Sequence, residues 1–369
     1  MNRDAASRPT VVAVAGDPGG AAALAPVVRA LLDEGRYRVI PCAYAQAVSL
    51  WQSQGIAAIE AGGLAAALAD ADLLLAATSV NAENLELDAV ARAQSKGIPS
   101  LAVLDFWSNY RRRFLADGRR VLADRLAVMD ELARREMIDE GFPADRLVVT
   151  GQPAFDRLAL AHDRFTPQRR RALRSGIGAD ADARLVLFVS QPFADIHGSP
   201  EAARAALGFD EHDVLALTCA ALSHLAKKHG TPIILALRPH PRESDDKFAE
   251  IQEDDFRVAI WKTQDQLEAA LSADLVLGMN SALLYEATLM GCPVVSLQPD
   301  LKGLDPLPSN RSGRSIAVYD PDKLRTVLEK LLFGPDRQSI DGVSSGSLPP
   351  AGCATAAVVE EIRKLLGEA

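Results

Sequence analysis

At 369 residues the chain is long enough for two domains, and with 48% hydrophobic side chains it can fill two cores. Charged residues make up 24%, with apolar runs throughout, which excludes wholesale disorder. The 40 Lys and Arg against 49 Asp and Glu leave a net charge of −9, so a nucleic-acid backbone would be repelled and no nucleic-acid partner is expected.

In chain order, residues 1–9 are short and polar and run into an apolar strand, so no secretory signal is expected and the location is predicted to be cytoplasmic. The most hydrophobic stretch, residues 57–77, contains Glu60, Asp70 and Asp72, each costly at a bilayer centre, and no transmembrane segment is expected. Continuous apolar runs at 10–15, 38–43, 56–61, 73–78, 98–105, 126–129 and 147–150 predict strands of a sheet covered on both faces. Helices are predicted at 21–33, 82–95 and 131–140. This is a doubly wound domain over residues 1–160, followed at 161–183 by a polar, basic connection broken by Pro167, Gly176 and Gly178.

The alternation then repeats over 184–340. Strands are predicted at 185–190, 233–237, 258–260, 275–278, 294–297 and 315–318, with helices at 213–229, 264–272, 282–290 and 322–332. A Ser/Gly/Pro loop at 339–352 leads to a last helix at 355–366, within a tail of 341–369, that should pack back onto one domain. The expected fold class is α/β, with two Rossmann-like doubly wound domains facing a cleft. Cys42, Cys219, Cys292 and Cys353 are far apart in apolar or small-residue surroundings and read as buried thiols; without C-x-x-C spacing, no metal is expected.

Ligands on such sheets bind beyond the carboxyl ends of the strands, so chemistry is sought in the loops that follow them. The first loop is Gly16-Asp17-Pro18-Gly19-Gly20, whose glycines admit close backbone approach at a helix start. Asp17 is either a general base or an N-cap. After the fifth strand comes Asp105-Phe106-Trp107-Ser108-Asn109-Tyr110-Arg111-Arg112-Arg113, where aromatics beside arginines suit either a stacking, phosphate-neutralising surface or a packed basic turn. Asp105 is a second candidate base.

In the second half, Gln191 before Pro192 can offer donors and an acceptor to a base or sugar. Arg238-Pro239-His240-Pro241-Arg242 holds a histidine between two arginines, an arrangement suited to a phosphate. Gly278-Met279-Asn280-Ser281-Ala282 opens a helix whose free N–H groups can take a phosphate, with Glu286 one to two turns in, placed to reach a ribose. The alternative there is an N-cap with a solvated glutamate. The acidic pairs Asp245-Asp246 and Asp254-Asp255 read as solvated faces rather than metal ligands.

Together these residues resemble the GT-B superfamily of nucleotide-sugar enzymes. The pattern Ser281-x-x-x-x-Glu286-Ala287-x-x-x-Gly291-x-Pro293-Val294 is similar to the donor-binding signature shared by GT-B glycosyltransferases and UDP-N-acetylglucosamine 2-epimerases. The segment from Asp145 to Asp156 is similar to the interdomain hinge of those epimerases and of lipid A-disaccharide synthase. Gln191-Pro192 and His240-Pro241 look like the QP and HP motifs of capsule Kdo transferases, which implies that a cytidine donor is compatible with the site. Two departures count against epimerase chemistry: Asp105 and Arg111 stand without a His-x-Glu-x-Gly-x-Arg motif, and Ser281-Ala282-Leu283 replaces Ser-Gly-Gly.

The resemblance implies a GT-B-type, metal-independent glycosyltransferase or glycosyl-phosphate transferase of cell-surface polysaccharide or glycoconjugate biosynthesis, with no cofactor beyond a UDP- or CMP-linked donor. Asp17, Asp105 and His240 are its catalytic candidates. Gly16, Gly19, Gly20, Arg111, Gln191, Arg238, His240, Asn280, Ser281, Ala282 and Glu286 are its donor-binding candidates. The acceptor would be a glycan or a lipid-linked molecule, and peripheral membrane contact and a homodimer are compatible with this reading. The alternatives are a UDP-sugar 2-epimerase or nucleotide-sugar hydrolase, and a non-catalytic sugar-nucleotide-binding protein.

Overall fold

The computed structural model describes residues 8–80, 84–248, 251–262, 265–335 and 352–368. The chain divides into two compact units, one running to Arg157 and including the C-terminal helix, the other beginning at Leu158. Residues 1–7, most of the predicted 339–352 loop and the predicted helix starts at Ala82 and Gln264 lie outside the described residues.

The first unit is built on seven parallel strands: β1 (Thr10–Ala15), β2 (Arg38–Ala43), β3 (Ile59–Glu60), β4 (Leu73–Ala76), β5 (Ser100–Val103), then, past a small antiparallel hairpin of β6 (Leu115–Ala116) and β7 (Arg119–Arg120), β8 (Arg125–Val128) and β9 (Leu147–Val149). Their order is β3-β2-β1-β4-β5-β8-β9. Every residue of β1, β4 and β5 is buried, as the unbroken apolar runs require. The helix Pro18–Glu34 starts on a proline at its first turn and stops at Gly35, whose φ of 64° is left-handed. It buries Leu24, Val27, Val28 and Leu31 on the sheet. The C-terminal helix Cys353–Leu366 returns to this core through Val358, Val359 and Ile362, and Asp156 accepts hydrogen bonds from the N–H groups of Ala354 (3.2 Å) and Thr355 (2.9 Å) at its start.

The second unit carries β10 (Arg184–Val189), β11 (Ile233–Arg238), β12 (Arg257–Ile260), β13 (Leu275–Gly278), β14 (Val294–Leu297) and β15 (Ile316–Val318), all parallel, in the order β12-β11-β10-β13-β14-β15. Phe188, Leu222, Leu225, Leu235 and Leu277 form its core. Both sheets therefore have the doubly wound order, reversing direction after the first strand.

Residues 161–183, expected as a connection broken by Pro167, Gly176 and Gly178, are largely helical. They contain the end of the helix Asp156–Arg164 and the whole of Pro167–Gly176. Pro167 does not break this second helix but starts it, after Thr166 caps it by accepting from Arg169 N at 3.1 Å. Its basic composition has a structural use, since Arg174 is buried and donates to the carbonyls of Ala183 (2.7 Å) and Ser272 (3.2 Å). Sequence periodicity also missed the helices Gln46–Ser53 and Pro200–Leu207, and the strand predicted at 56–61 is only two residues long.

All four cysteines are free; Cys42 and Cys219 are buried, Cys292 is partly buried, and Cys353, expected to be buried, is exposed at the start of the last helix. No helix among the described residues is long and apolar enough to cross a membrane.

Candidate functional site

In the first unit the sheet register brings three candidate loops to one edge. Val14 pairs with Ala76 and Ala76 with Ala102, so Asp17, Ser79 and Asp105, each three residues further on, leave three adjacent strands together. The direction of winding reverses here, between β1 and β4. Asp17 stands at the N-cap position of Pro18–Glu34 but does not cap it; its carboxylate instead accepts from Val80 N at 2.8 Å, and its own N–H donates to Ser79 Oγ at 3.0 Å. Asp105 is ion-paired with Arg113 and accepts from Thr78 Oγ1 at 2.8 Å, while Gln152 Nε2 donates to its carbonyl at 2.8 Å.

Gly16, Gly19 and Gly20 line this edge. A Cβ on Gly20 would lie 2.7 Å from Ala77 Cβ and 2.9 Å from the Thr78 carbonyl, and one on Gly19 would strike the Asp105 carboxylate. The glycines thus let the first helix start directly against the ends of β4 and β5.

Arg111 does not join the cluster. The turn Tyr110–Arg113 puts its first and fourth residues on one side, so Tyr110 and Arg113 point inward while Arg111 and Arg112 are exposed. Arg111 reaches Glu140, with its Nη2 3.3 Å from the carbonyl and its Nε 3.7 Å from the carboxylate. Trp107 and Tyr110 are core residues rather than a stacking platform: Trp107 donates from Nε1 to Asp130 at 2.9 Å and Tyr110 from its hydroxyl to Glu136 at 2.6 Å.

Glu86, which the sequence reading passed over, is the other buried acid here, only 3% exposed. It accepts from Gly16 N at 2.8 Å and from the Ser79 hydroxyl. Burial raises its pKa above the usual carboxylate range, more than the hydrogen bonds from Ser79 and Gly16 lower it. Burial likewise raises Asp105, against the pull of Arg113 and Thr78. The signal in the sequence was a lone glutamate between Leu85 and Leu87 at the start of a helix.

In the second unit Val189 pairs with Arg238 on one side and Gly278 on the other, placing these two about 10 Å apart, two strand spacings. The loops that follow carry Ser190-Gln191, Pro239-His240 and Met279-Asn280-Ser281. Gln191 Oε1 accepts from Asn280 N at 3.0 Å, joining the β10 and β13 loops where this sheet reverses. Ser281 caps the helix Ala282–Leu289, accepting from Leu283 N at 3.3 Å, and Ala282 is exposed at its first turn. Glu286 does not lie on a solvated face: it is 6% exposed and accepts from Gln266 Nε2 at 3.3 Å. Arg238 is partly buried, which lowers its pKa, with Asp265 acting in the opposite direction.

His240 Nδ1 accepts the Arg242 N–H at 3.2 Å, so a neutral imidazole there carries its proton on Nε2. Its backbone N–H donates to Glu243 Oε2 at 2.7 Å. Glu243 also accepts from Ser190 Oγ (3.0 Å) and Lys247 Nζ (2.8 Å), and Lys247 continues to Glu211, which accepts from Ala194 N at 3.0 Å. Burial would raise the pKa of Glu211, but Lys247 and the backbone N–H groups more than offset it and hold it low. This Glu211–Lys247–Glu243 chain, invisible in the sequence, ties the loops after β10 and β11 to the helix Glu211–His229.

No protein-family model matches the sequence, and no curated protein matches it. Solved structures do match in fold. The UDP-GlcNAc 2-epimerase of Neisseria meningitidis bound to UDP-GlcNAc has a TM-score of 0.66 at 16% identity, over 96% of this chain and 100% of that one. The fold is GT-B-like. S. aureus MnaA with UDP gives 0.64 at 16% identity over 98% of both chains, and Anabaena Alr3699/HepE with UDP and glucose gives 0.57 at 14% identity over 98% of this chain and 100% of that one. The two doubly wound Rossmann-like units and the returning C-terminal helix are the parts of that fold this chain builds.

Proposed function

We propose that the protein is an enzyme acting on a UDP-sugar, of the 2-epimerase or nucleotide-sugar hydrolase type, that needs no sugar acceptor. The observation that carries the reading is the convergence of Gln191, Asn280, Ser281 and the free N–H groups of a helix start where the second sheet reverses. The UDP or UDP-GlcNAc held by proteins of similar fold supports the choice of nucleotide. In this reading the N–H groups at Ser281 and the His240 Nε2–H bind the diphosphate and stabilise charge as it leaves, without a metal. Glu286 serves the ribose, and Gln191 orients the Asn280 turn.

Epimerisation requires one group to take a proton from carbon and another to return one. Asp105 and Glu86 are suited to this because burial makes each a stronger base than a solvated carboxylate. Asp17 and the three glycines shape the turn beside them.

Glycosyl transfer from a UDP- or CMP-sugar is the second reading. It is supported by Ser281-Ala282-Leu283 in place of Ser-Gly-Gly and by the Gln191-Pro192 and His240-Pro241 pairs. Incubation with UDP-GlcNAc or a CMP-sugar without acceptor, followed by proton NMR, separates the two. A new epimer or released nucleotide supports the first reading, turnover only after acceptor is added supports the second, and binding without turnover under either condition rejects both. Saturating UDP at about 100 times its Kd should stabilise the protein by roughly 2.7 kcal/mol.

A further inference from the structure

The opposite edge of the second sheet, at the amino ends of its strands, holds a cavity of about 220 Å3 lined by Arg170, Arg171, Arg174, Arg184 and Asp274. Four guanidinium groups face one carboxylate in a chain whose net charge is −9. That carboxylate is already saturated: Arg170 Nη2 lies 2.8 Å from one oxygen, and Arg174 Nη1 (3.0 Å) and Leu185 N (2.8 Å) share the other. Asp180, whose carbonyl lies 3.5 Å from Arg174 Nη2, accepts through Oδ1 from the N–H groups of Ala183 (2.9 Å) and Asp182 (3.2 Å). Arg184 gives Nε to the Leu332 carbonyl at 2.9 Å and Nη1 to that of Asp182 at 3.4 Å, and its guanidinium lies 5.8 Å from the Phe333 ring centroid. Arg171 makes no hydrogen bond or ion pair with any described residue.

A pocket with this excess of positive charge and planar guanidinium donors matches a small polyanion with tetrahedral oxygens. We propose that it is a second anion site, for inorganic phosphate or pyrophosphate or for the same group on a small phosphate ester, separate from the nucleotide site proposed at the carboxyl ends of the strands. The two arginines held on Asp274 line it, and the exposed Arg171, which has no partner among the described residues, supplies the free guanidinium. The helix Pro167–Gly176 supplies three of the four cations, so occupancy would also hold that helix to the sheet.

The test titrates phosphate and pyrophosphate calorimetrically into the 369-residue chain saturated with UDP, so that the proposed nucleotide site is filled. Binding is expected to persist, to fall at least tenfold in Arg171→Ala and to vanish in Arg171→Glu, the loss expected for one charge-assisted contact and its reversal. Arg171 is exposed, so neither change should disturb folding. If UDP itself does not bind, the same titration of the free protein and of Ser281→Ala still decides the matter: an isotherm sensitive to Arg171 and indifferent to Ser281 supports the site. No heat from either anion at millimolar concentration, or an isotherm unchanged by Arg171→Glu, overturns it. A glucose 1-phosphate arm separates free phosphate from an ester, and its competition with phosphate is expected.

Discussion

Glu86 combines near-complete burial with hydrogen-bond donors that, among the described residues, are the neutral Gly16 N and Ser79 Oγ, which makes it a place where folding works against ionisation. Because its folded pKa is raised, the native state holds the proton more tightly than the unfolded chain. Its contribution to stability must then fall as pH rises from the ordinary glutamate value, about 4.3, towards the higher folded value, and stay lost above it. Glu86→Gln keeps an acceptor for both donors and removes the charge, so it should be more stable than the parent at pH 7 and show a flatter dependence. Urea midpoints at pH 4, 5.5 and 7 measure this, and parallel curves for the two proteins would refute it. At Gly20 the obstacles are the Ala77 Cβ and the Thr78 carbonyl, neither of which can rotate away. Gly20→Ala should cost about 1–3 kcal/mol, whereas Gly62→Ala, with nothing within 4 Å of the added methyl, should stay within roughly 0.5 kcal/mol in thermal melts.

The eight-residue helix Ala282–Leu289 depends on its cap as well as serving the proposed ligand. Ser281→Ala should lower stability by about 1 kcal/mol, so its ligand response has to be compared with its own baseline. Ser281→Asp retains a capping oxygen while placing negative charge where the diphosphate is proposed. It should melt near the parent yet lose most of the UDP-induced shift, and a full shift in this variant would remove the helix start from the site. Nearby, Lys247 bridges two carboxylates, Glu211 and Glu243, whose side chains have no exposed surface. Lys247→Met should therefore destabilise on the order of 3–5 kcal/mol at neutral pH, with part of the loss recovered in acid, where Glu211, buried and without its lysine, protonates. Denaturant titrations at pH 7 and 4.5 test both parts.

Across the whole molecule, each unit has its own core, and the last helix contributes to the first. Ending the chain before Gly352 would expose the surface now covered by Val358, Val359 and Ile362, whose own burial is worth roughly 2 kcal/mol apiece. It would also leave Asp156 without the Ala354 and Thr355 donors. Scanning calorimetry should show the transition of the first unit moving down by several degrees while that of the second stays in place. Equal movement of both would mean that the helix supports more than the sheet it touches.

Alternating apolar runs were enough to place all six strands of the second sheet and most of the first, because strands covered on both faces leave no polar residue to interrupt the pattern. They also fix which loops leave the carboxyl ends, and so point to Asp17, Asp105, Gln191, His240 and Ser281 as candidates. What the sequence could not assign was direction and partner within those loops. Arg111 and Arg113 are two residues apart in the same basic run, yet only Arg113 turns inward to Asp105, a choice made by the local helical turn and the space left under it. Glu86, Glu243 and Lys247 look like ordinary charged helix and loop residues until the parallel sheets bring distant segments beside them. Local pattern determines where the chain folds, because it acts through neighbours in sequence; burial and pairing of charge are decided by neighbours in space, which only the tertiary structure supplies.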